Sequence, residues 1–492
     1  MTAPAPALRH LFWLLLGGAF ILRVVVAVLW PSIHQADEVF QVLEPAHRLW
    51  FGQGIVSWEW RLGIRSWLVP GMLAPVLGAA AALGLEPPGY AAVVAALMSV
   101  TSLSVVAVGF GFGARMYGRT GALLLGVLCA VWFEFVYFAP KTFTEVMAAH
   151  VLIVAVWVIV TAPHRLLLIG VLLGITGILR FHTGPMILVA SVWLCRADVR
   201  GRWPRLLAGA AIPVLGQAVL DWITLGSPLQ SVWLNFWVNI VGSRSDIYGV
   251  VPFYWYPGRM LISWGAAFPL MVAAALLGAR RAPLLGWMVL AHVLAHSLIG
   301  HKELRFLYPA MPLLIILAGL GLCRMLSRAR GFAAGSPRVL ALAIAGMIAV
   351  SMAGATGPGY VGNWTSMAGG LQASDFLRGR ADVCGIGIVN GPEWKGYWTP
   401  TGGYFRLHHD IPIYPGVDAA ALSALSPRFN FLSVPRAIGD RVAGFQRGPC
   451  WAVNFGATVE PSNPEWCVFH RPGVCVAEPA ATINPGLIGA DQ

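Results

Sequence analysis

The chain has 492 residues, 58% of them hydrophobic and only 11% charged, with a formal net charge of +12 and a mean hydropathy of +0.71. A soluble domain carries about 25% charged residues, so this composition excludes a water-soluble globular protein and predicts an α-helical multi-pass membrane protein. The basic excess does not call for nucleic acid as a partner. The Arg residues sit in short clusters between apolar runs, the pattern of loops retained on the cytoplasmic side.

Apolar runs of spanning length fall near 11–30, 90–112, 120–139, 145–162, 205–224, 260–279, 283–300, 305–323 and 338–355. The first lacks a small-residue cleavage site and reads as a retained span. Segment 165–195 has room for two short spans interrupted by RFHTGP at 180–185, and segment 66–85 is apolar but ambiguous. Laying 66–85 on the outer surface and folding 165–195 as a hairpin predicts about 11 transmembrane helices with a cytoplasmic N-terminus. The clusters ARMYGRT, APHR, RADVRGRWPR, GARR and CRMLSRARGFAAGSPR then all face the cytoplasm. Counting 66–85 as a span would turn them outward.

Two domains are expected. Residues 1–355 read as a transmembrane domain, with a first external loop at 31–89 bearing interfacial helices. Residues 356–492 contain no spanning run and read as a small extracytoplasmic α/β domain. Its strand-like pieces VCGIGIVN, FNFLSVP and CWAVNFG are separated by a helical run near 418–425. Four cysteines, Cys384, Cys450, Cys467 and Cys475, lie in it, and an even count in an oxidising compartment predicts two disulfides of open connectivity. Cys129, Cys195 and Cys323 lie in or beside spans and read as packing residues.

The first external loop places Asp37, Glu38, Glu44 and Glu59 beside Trp58 and Trp60. Val39, Val42, Leu43, Ala46, Leu49 and Trp50 recur at helical spacing, which predicts an amphipathic helix lying in the membrane interface and kinked at Pro45. Consecutive helical residues point about 100° apart, so Asp37 and Glu38 do not face one atom together except at a helix end. Asp37 as an N-cap and Asp37 as a catalytic carboxylate both stay open on the residues alone. Phe40 stands where a capping box would place Glu or Gln.

A basic cluster, HKELRF, follows a later apolar run on the outer side. If helical, it would put His301 and Arg305 on one face, with Lys302 one step away. Snorkelling side chains with a Lys302–Glu303 pair are one explanation; a phosphate clamp is the other, since Arg offers a planar fork and Lys a point charge. Lys141 and Glu145 in PKTFTEVMAAH could form an i,i+4 ion pair or join a site. Tyr254 and Tyr256 in FYWY suit either an interfacial belt or a sugar or isoprenoid surface. His408 and His409 are adjacent, unlike a zinc-binding HExxH, and no metal site is predicted. No nucleotide loop is present. No cofactor is predicted, with a divalent cation left open. One carboxylate plus a phosphate clamp fits transfer from a lipid phosphate. A base activates a hydroxyl, and cations stabilise the leaving phosphate without a proton.

HQADEVFQVLEPAH followed by SWEW resembles the first-loop motifs of the family 22 glycosyltransferases, the dolichol-pathway and GPI-anchor mannosyltransferases of the GT-C architecture. HKELRFLYPAMPLL is similar to their HKEERF segment, KTFTEVMAAH to their Arg-Thr and Glu-Thr segment, and DWITLGSPLQ…NFWVNIVGSRSDIYGVVPFYWY to a fourth block. Four motifs in order cover most of residues 30–325. The resemblance implies transfer of mannose from a polyprenyl-phosphate-linked sugar donor to a glycan or glycolipid acceptor on the extracytoplasmic side, inverting to an α-mannoside. Asp37 would be the base, with Glu38, Glu44, Trp58 and Glu59 on the acceptor side or in support. His301, Lys302 and Arg305 would contact the donor phosphate, with Lys141, Glu145, Tyr254 and Tyr256 as secondary candidates. Membrane lipids would surround the helices. Lys is scarce against Arg, which suits a GC-rich genome and a bacterial inner membrane. The chain departs from the family pattern at Gln35-Ala36, Lys141, Glu145 and Leu304, which bears on the acceptor more than on the reaction. A GT-C enzyme for another lipid-linked sugar and a lipid transporter are the rival readings. The transporter would need inverted repeats and midplane charges, and neither is found in the sequence.

Overall fold

The computed structural model describes residues 6–328, 336–389, 401–407, 411–454, 456 and 465–476. His408, His409 and most of the basic stretch RARGFAAG lie outside the described residues. The chain divides into two compact units, one built from Met1–Val26 and Ala95–Gly359, the other from Ala27–Val94 and Tyr360–Gln492.

The first unit is helical. Among the described residues, Leu8–Leu29, Pro87–Val131, Thr144–Thr161, Val199–Leu225, Leu304–Leu326 and Pro337–Thr356 are long and apolar enough to cross a bilayer. A seventh span is counted if Trp255–Trp264 and Ala267–Ala279, bent by 114°, are joined. Pro87–Val131 is broken in its middle, where Tyr117 and Gly118 leave helical geometry. These lengths do not by themselves add up to the expected eleven. The anticipated hairpin 165–195 is two helices of 14 and 12 residues, Leu166–Leu179 and Gly184–Cys195, and a bilayer core needs about 20.

Leu304–Leu326 is central, with most of its surface covered by protein, whereas Leu8–Leu29 and Val199–Leu225 stay largely uncovered. Met311–Leu326 packs against Ala267–Ala279 through Gly278 and Gly321. A Cβ on Gly321 would strike the Ala274 carbonyl. Without a hydrophobic drive between helices in lipid, small residues that admit such backbone contact hold helices together. Asp221, fully buried in Val199–Leu225, staples that helix to the next. Its carboxylate accepts from Gln217 Nε2 (2.6 Å), Ser231 N (2.9 Å) and Ser231 Oγ (2.6 Å).

The second unit contains a five-stranded mixed sheet of order β2-β1-β3-β5-β4, from β1 (Ile386–Val389), β2 (Ile413–Gly416), β3 (Phe431–Pro435), β4 (Gln446–Ala452) and β5 (Glu465–His470). β1 is parallel to β2 and β3, and β5 is antiparallel to β3 and β4. Pro415 sits in edge strand β2, where a missing N–H is tolerated. Helix Ala419–Leu425 is capped by Asp418, whose carboxylate accepts from Ala421 N at 2.7 Å. Cys384 is bonded to Cys475, 91 residues away, and Cys450 to Cys467, its cross-strand neighbour.

The first loop belongs to this second unit. Ile33, Val39, Phe40 and Ile55 share a core with Ile386, Ile388, Phe431, Trp466 and Val468 of the sheet. This corrects two expectations. Loop 31–89 goes with the C-terminal segment, and the first part of the stripe, Val39 to Ala46, is covered by protein. The regular helix also gives way to short α-helical residues Ala36–Glu38, a wide π-turn at Val39–Leu43 and helix Glu44–Phe51. The π-turn shifts the phase of the stripe. Val42, Leu43 and Ala46 are buried, and Leu49 and Trp50 remain exposed.

Candidate active site

The four carboxylates of the first loop have different surroundings. Asp37 lies in the first turn of Ala36–Glu38, two residues past Gln35, which occupies the N-cap position. Asp37 is half-buried, whereas Glu38, Glu44 and Glu59 are buried. Glu38 accepts from the His34 backbone at 3.0 Å. Glu59 accepts from Ser57 Oγ at 2.6 Å and Gln41 Nε2 at 3.1 Å, with Arg65 at 3.5 Å. Trp58 and Trp60 begin helix Trp58–Arg61, and the Trp60 indole donates to Phe40 O at 2.9 Å.

Glu44 is fully buried, with Oε2 accepting from Ile55 N (2.8 Å) and Oε1 from Phe405 N (2.6 Å). Burial pushes its carboxyl up to about 7 against the opposing pull of these backbone donors. Gly403 makes room for it. Its φ is +65°, and a Cβ there would come within 2.5 Å of the Glu44 carboxyl, so the position favours glycine twice over. Glu44 therefore ties the first loop to segment 401–407.

In the first unit, the basic cluster is not a continuous helix. His301 to Glu303 are irregular and Leu304–Ala310 is a 3₁₀ helix, so the i,i+4 spacing of His301 and Arg305 does not apply. A carboxylate arranges them instead. Glu303 accepts from Arg305 Nε at 2.6 Å through one oxygen and lies 3.0 Å from His301 Nε2 through the other. Burial pushes the Glu303 carboxyl up, but the Arg305 and His301 charges outweigh it and hold it well below the usual carboxylate range. The same contact raises His301 above the ordinary imidazole value.

Arg305 Nη1 also reaches Glu145 Oε1 at 3.3 Å, and Arg180 Nη2 reaches the same oxygen at 3.0 Å. The Lys302 ammonium is buried and donates to Val251 O (3.0 Å) and Ile299 O. Lys141 lies in the irregular stretch before Thr144–Thr161, 5.3 Å from the Tyr137 ring centroid. It is therefore off the helix on which an i,i+4 pair with Glu145 would form. Arg180 and Arg305 lie 5.6 and 5.2 Å from the Phe306 ring centroid, from carbons that suit cation–π contact. Among Arg180, Lys302, Arg305, Glu145 and Glu303 one positive charge is in excess before His301 is counted. Tyr254 is exposed while Tyr256 is buried, so the two do not form one stacking surface.

Sequence reasoning missed Arg180, which it saw only as a break in a hairpin, and took Glu303 only as a partner for Lys302, whereas it organises His301 and Arg305. It also missed His292 and His296, whose rings lie 4.0 Å apart, with His292 Nε2 2.9 Å from Phe306 O. A charged residue inside an apolar run is the signal that could have found Arg180. The same rule marks Glu134, buried and accepting from Trp264 Nε1 at 2.9 Å. Among the described residues, the grouping with metal-ligand spacing is Cys450, Glu465 and Cys467, and its two sulfurs are joined in a disulfide.

The fold is similar to that of ArnT from Cupriavidus metallidurans, solved bound to undecaprenyl phosphate. The TM-score is 0.55 at 13% identity, covering 94% of this chain and 99% of that one. GPI mannosyltransferase 3 of Yarrowia lipolytica is 27% identical over 413 residues, 80% of this chain and 74% of its own length. GPI alpha-1,2-mannosyltransferase 3 of Mus musculus is 26% identical over 325 residues, 62% of this chain; the chain spans only 58% of that relative's length. A model of the Alg9-like mannosyltransferase family matches residues 13–359, and with a GT-C fold and four family motifs in order, the chain belongs to that family.

Proposed function

We propose that the chain is a membrane mannosyltransferase that moves mannose from a polyprenyl-phosphate-mannose donor to a glycan or glycolipid acceptor on the extracytoplasmic side, inverting to an α-mannoside. Asp37 takes the proton of the acceptor hydroxyl as its oxygen attacks the anomeric carbon. The bond from that carbon to the phosphate oxygen breaks, and the polyprenyl phosphate leaves as an anion. His301, Lys302 and Arg305 bind that phosphate, and Arg180 adds a fourth cation. Glu145 and Glu303 hold the two guanidinium groups in place.

The observation that carries this reading is the excess positive charge built around Glu145 and Glu303. Cations held in fixed geometry stabilise a developing phosphate charge without reorganising. Asp37 is preferred as base because Glu38, Glu44 and Glu59 are buried on neighbouring protein donors, while Asp37 keeps a partly open face. The two disulfides support an oxidising, extracytoplasmic setting for the second unit. The eleven-span topology, with a cytoplasmic N-terminus in a bacterial inner membrane, accompanies this reading. The test is transfer by purified protein from a panel of polyprenyl-phospho-sugars, comparing wild type with Asp37→Asn. Loss of turnover by at least about 100-fold, with melting and donor binding retained, is expected. Normal turnover in Asp37→Asn would remove Asp37 as base, and preference for another sugar would reassign the donor.

A further inference from the structure

The helical unit contains a cavity of about 510 Å³ that the transfer reaction does not use. Phe112, Ile159 and Leu285 form part of its apolar wall, and Arg115, Arg196, Arg202 and Arg281 line it as well. No carboxylate lines it among the described residues. The Arg196 guanidinium carbon stands 3.7 Å from the Trp193 ring centroid, and Arg202 Nη1 donates to Leu194 O at 2.8 Å. Two of the four guanidinium groups are thus held in place before any ligand arrives.

This cavity lies at the other end of the bundle from Glu145 and Arg305. Thr144–Thr161 carries Glu145 near its start and Ile159 near its end. Gly184–Cys195 begins just after Arg180 and His182 and ends at Trp193 and Leu194, while Pro283–Ser297 runs from Leu285 to His292 and His296. At about 1.5 Å per residue, Glu145 and Ile159 are separated by roughly 21 Å along the helix. The cavity is a separate site.

Arginines scattered through loops satisfy the positive-inside bias by facing water. Arg115, Arg196 and Arg281 are exposed and Arg202 is half-buried, yet all four line one partly apolar space, where like charges repel unless an anion stands among them. Guanidinium forks match phosphate oxygens, and an apolar wall beside them matches chain carbons. We propose that this cavity binds the phosphate headgroup of an anionic phospholipid, with Arg115, Arg196, Arg202 and Arg281 around the phosphate and the first chain carbons on the apolar wall. Basic pockets between membrane helices recognise lipid phosphates in this way.

Native mass spectrometry of the detergent-purified full chain, titrated with phosphatidylglycerol or phosphatidylcholine, tests it. The wild type should retain phosphatidylglycerol preferentially. The double variant Arg196→Gln/Arg281→Gln should lose at least about tenfold in that retention, since a tenfold change corresponds to about 1.4 kcal/mol and one charged hydrogen bond supplies that much. The control Arg119→Gln/Arg200→Gln removes two charges that do not line the cavity and should leave retention unchanged. Equal retention of the two lipids by the wild type would overturn the proposal without reliance on any variant's folding. Equal losses in the two double variants would overturn it as well, by reducing the effect to general surface charge. Displacement of phosphatidylglycerol by millimolar inorganic phosphate would overturn the lipid assignment in favour of a free anion.

Discussion

Replacing Glu44 tests how the first loop is fastened to the sheet-bearing unit. Its two oxygens accept from Ile55 N and Phe405 N in a fully buried position. Alanine would leave both backbone donors without acceptors. Each such buried orphan costs about 1–3 kcal/mol, so Glu44→Ala should destabilise by about 2–6 kcal/mol. Gln keeps one carbonyl acceptor but turns an NH₂ toward the second backbone N–H, so Glu44→Gln should lose about half of that. The wild type should also depend on pH. Burial raises the folded carboxyl from the usual 4.5 to about 7, so the folded state binds more protons than the unfolded state between those values. The protonated group's contribution is fully present below pH 4.5 and is lost as pH rises through 7. The gap corresponds to about 3 kcal/mol as an order of magnitude, and Glu44→Gln should flatten the profile in that window. Thermal unfolding and limited proteolysis of the detergent-purified protein from pH 4 to 8 would measure both effects. Unchanged melting in Glu44→Ala, or identical pH profiles for wild type and Glu44→Gln, would refute the reasoning.

Arg180→Gln should raise the KM for the lipid-phosphate donor more than it lowers kcat, with the acceptor KM unchanged; an effect on the acceptor alone would remove Arg180 from the phosphate cluster. His301, raised by its contact with Glu303, is a cation below its folded pKa and neutral above it. Donor affinity should therefore fall as pH rises through that value, and His301→Phe should abolish this step in steady-state kinetics. Chain-entropy estimates give about 4–5 kcal/mol for a loop the size of Cys384–Cys475 and about 3 kcal/mol for Cys450–Cys467. Removing the first pair by double Ser substitution should lower the unfolding temperature of the second unit more than removing the second pair.

Much of this protein is local in origin and could be read from the chain. Solvent partition depends on runs of side chains, so the membrane class and the positions of the apolar segments followed from hydropathy. The strands near Ile386, Phe431 and Cys450 and the helix at 419–425 showed through their own composition. The order of four motifs identified the family. β2 was hidden by Pro415 and Gly416.

What only the tertiary structure decided was pairing over distance. Glu44 meets Phe405 across 361 positions, and no periodicity encodes that. The first loop looked like an interfacial helix because an apolar stripe does not say whether lipid or protein will cover it; the sheet's core supplied the answer. Arg180 meets Glu145 because two helices return their ends to one place, and Glu303 organises His301 and Arg305 because the segment leaves the α-helix. A residue's chemistry is fixed by its side chain, but its charge partners are fixed by the packing that brings distant segments together.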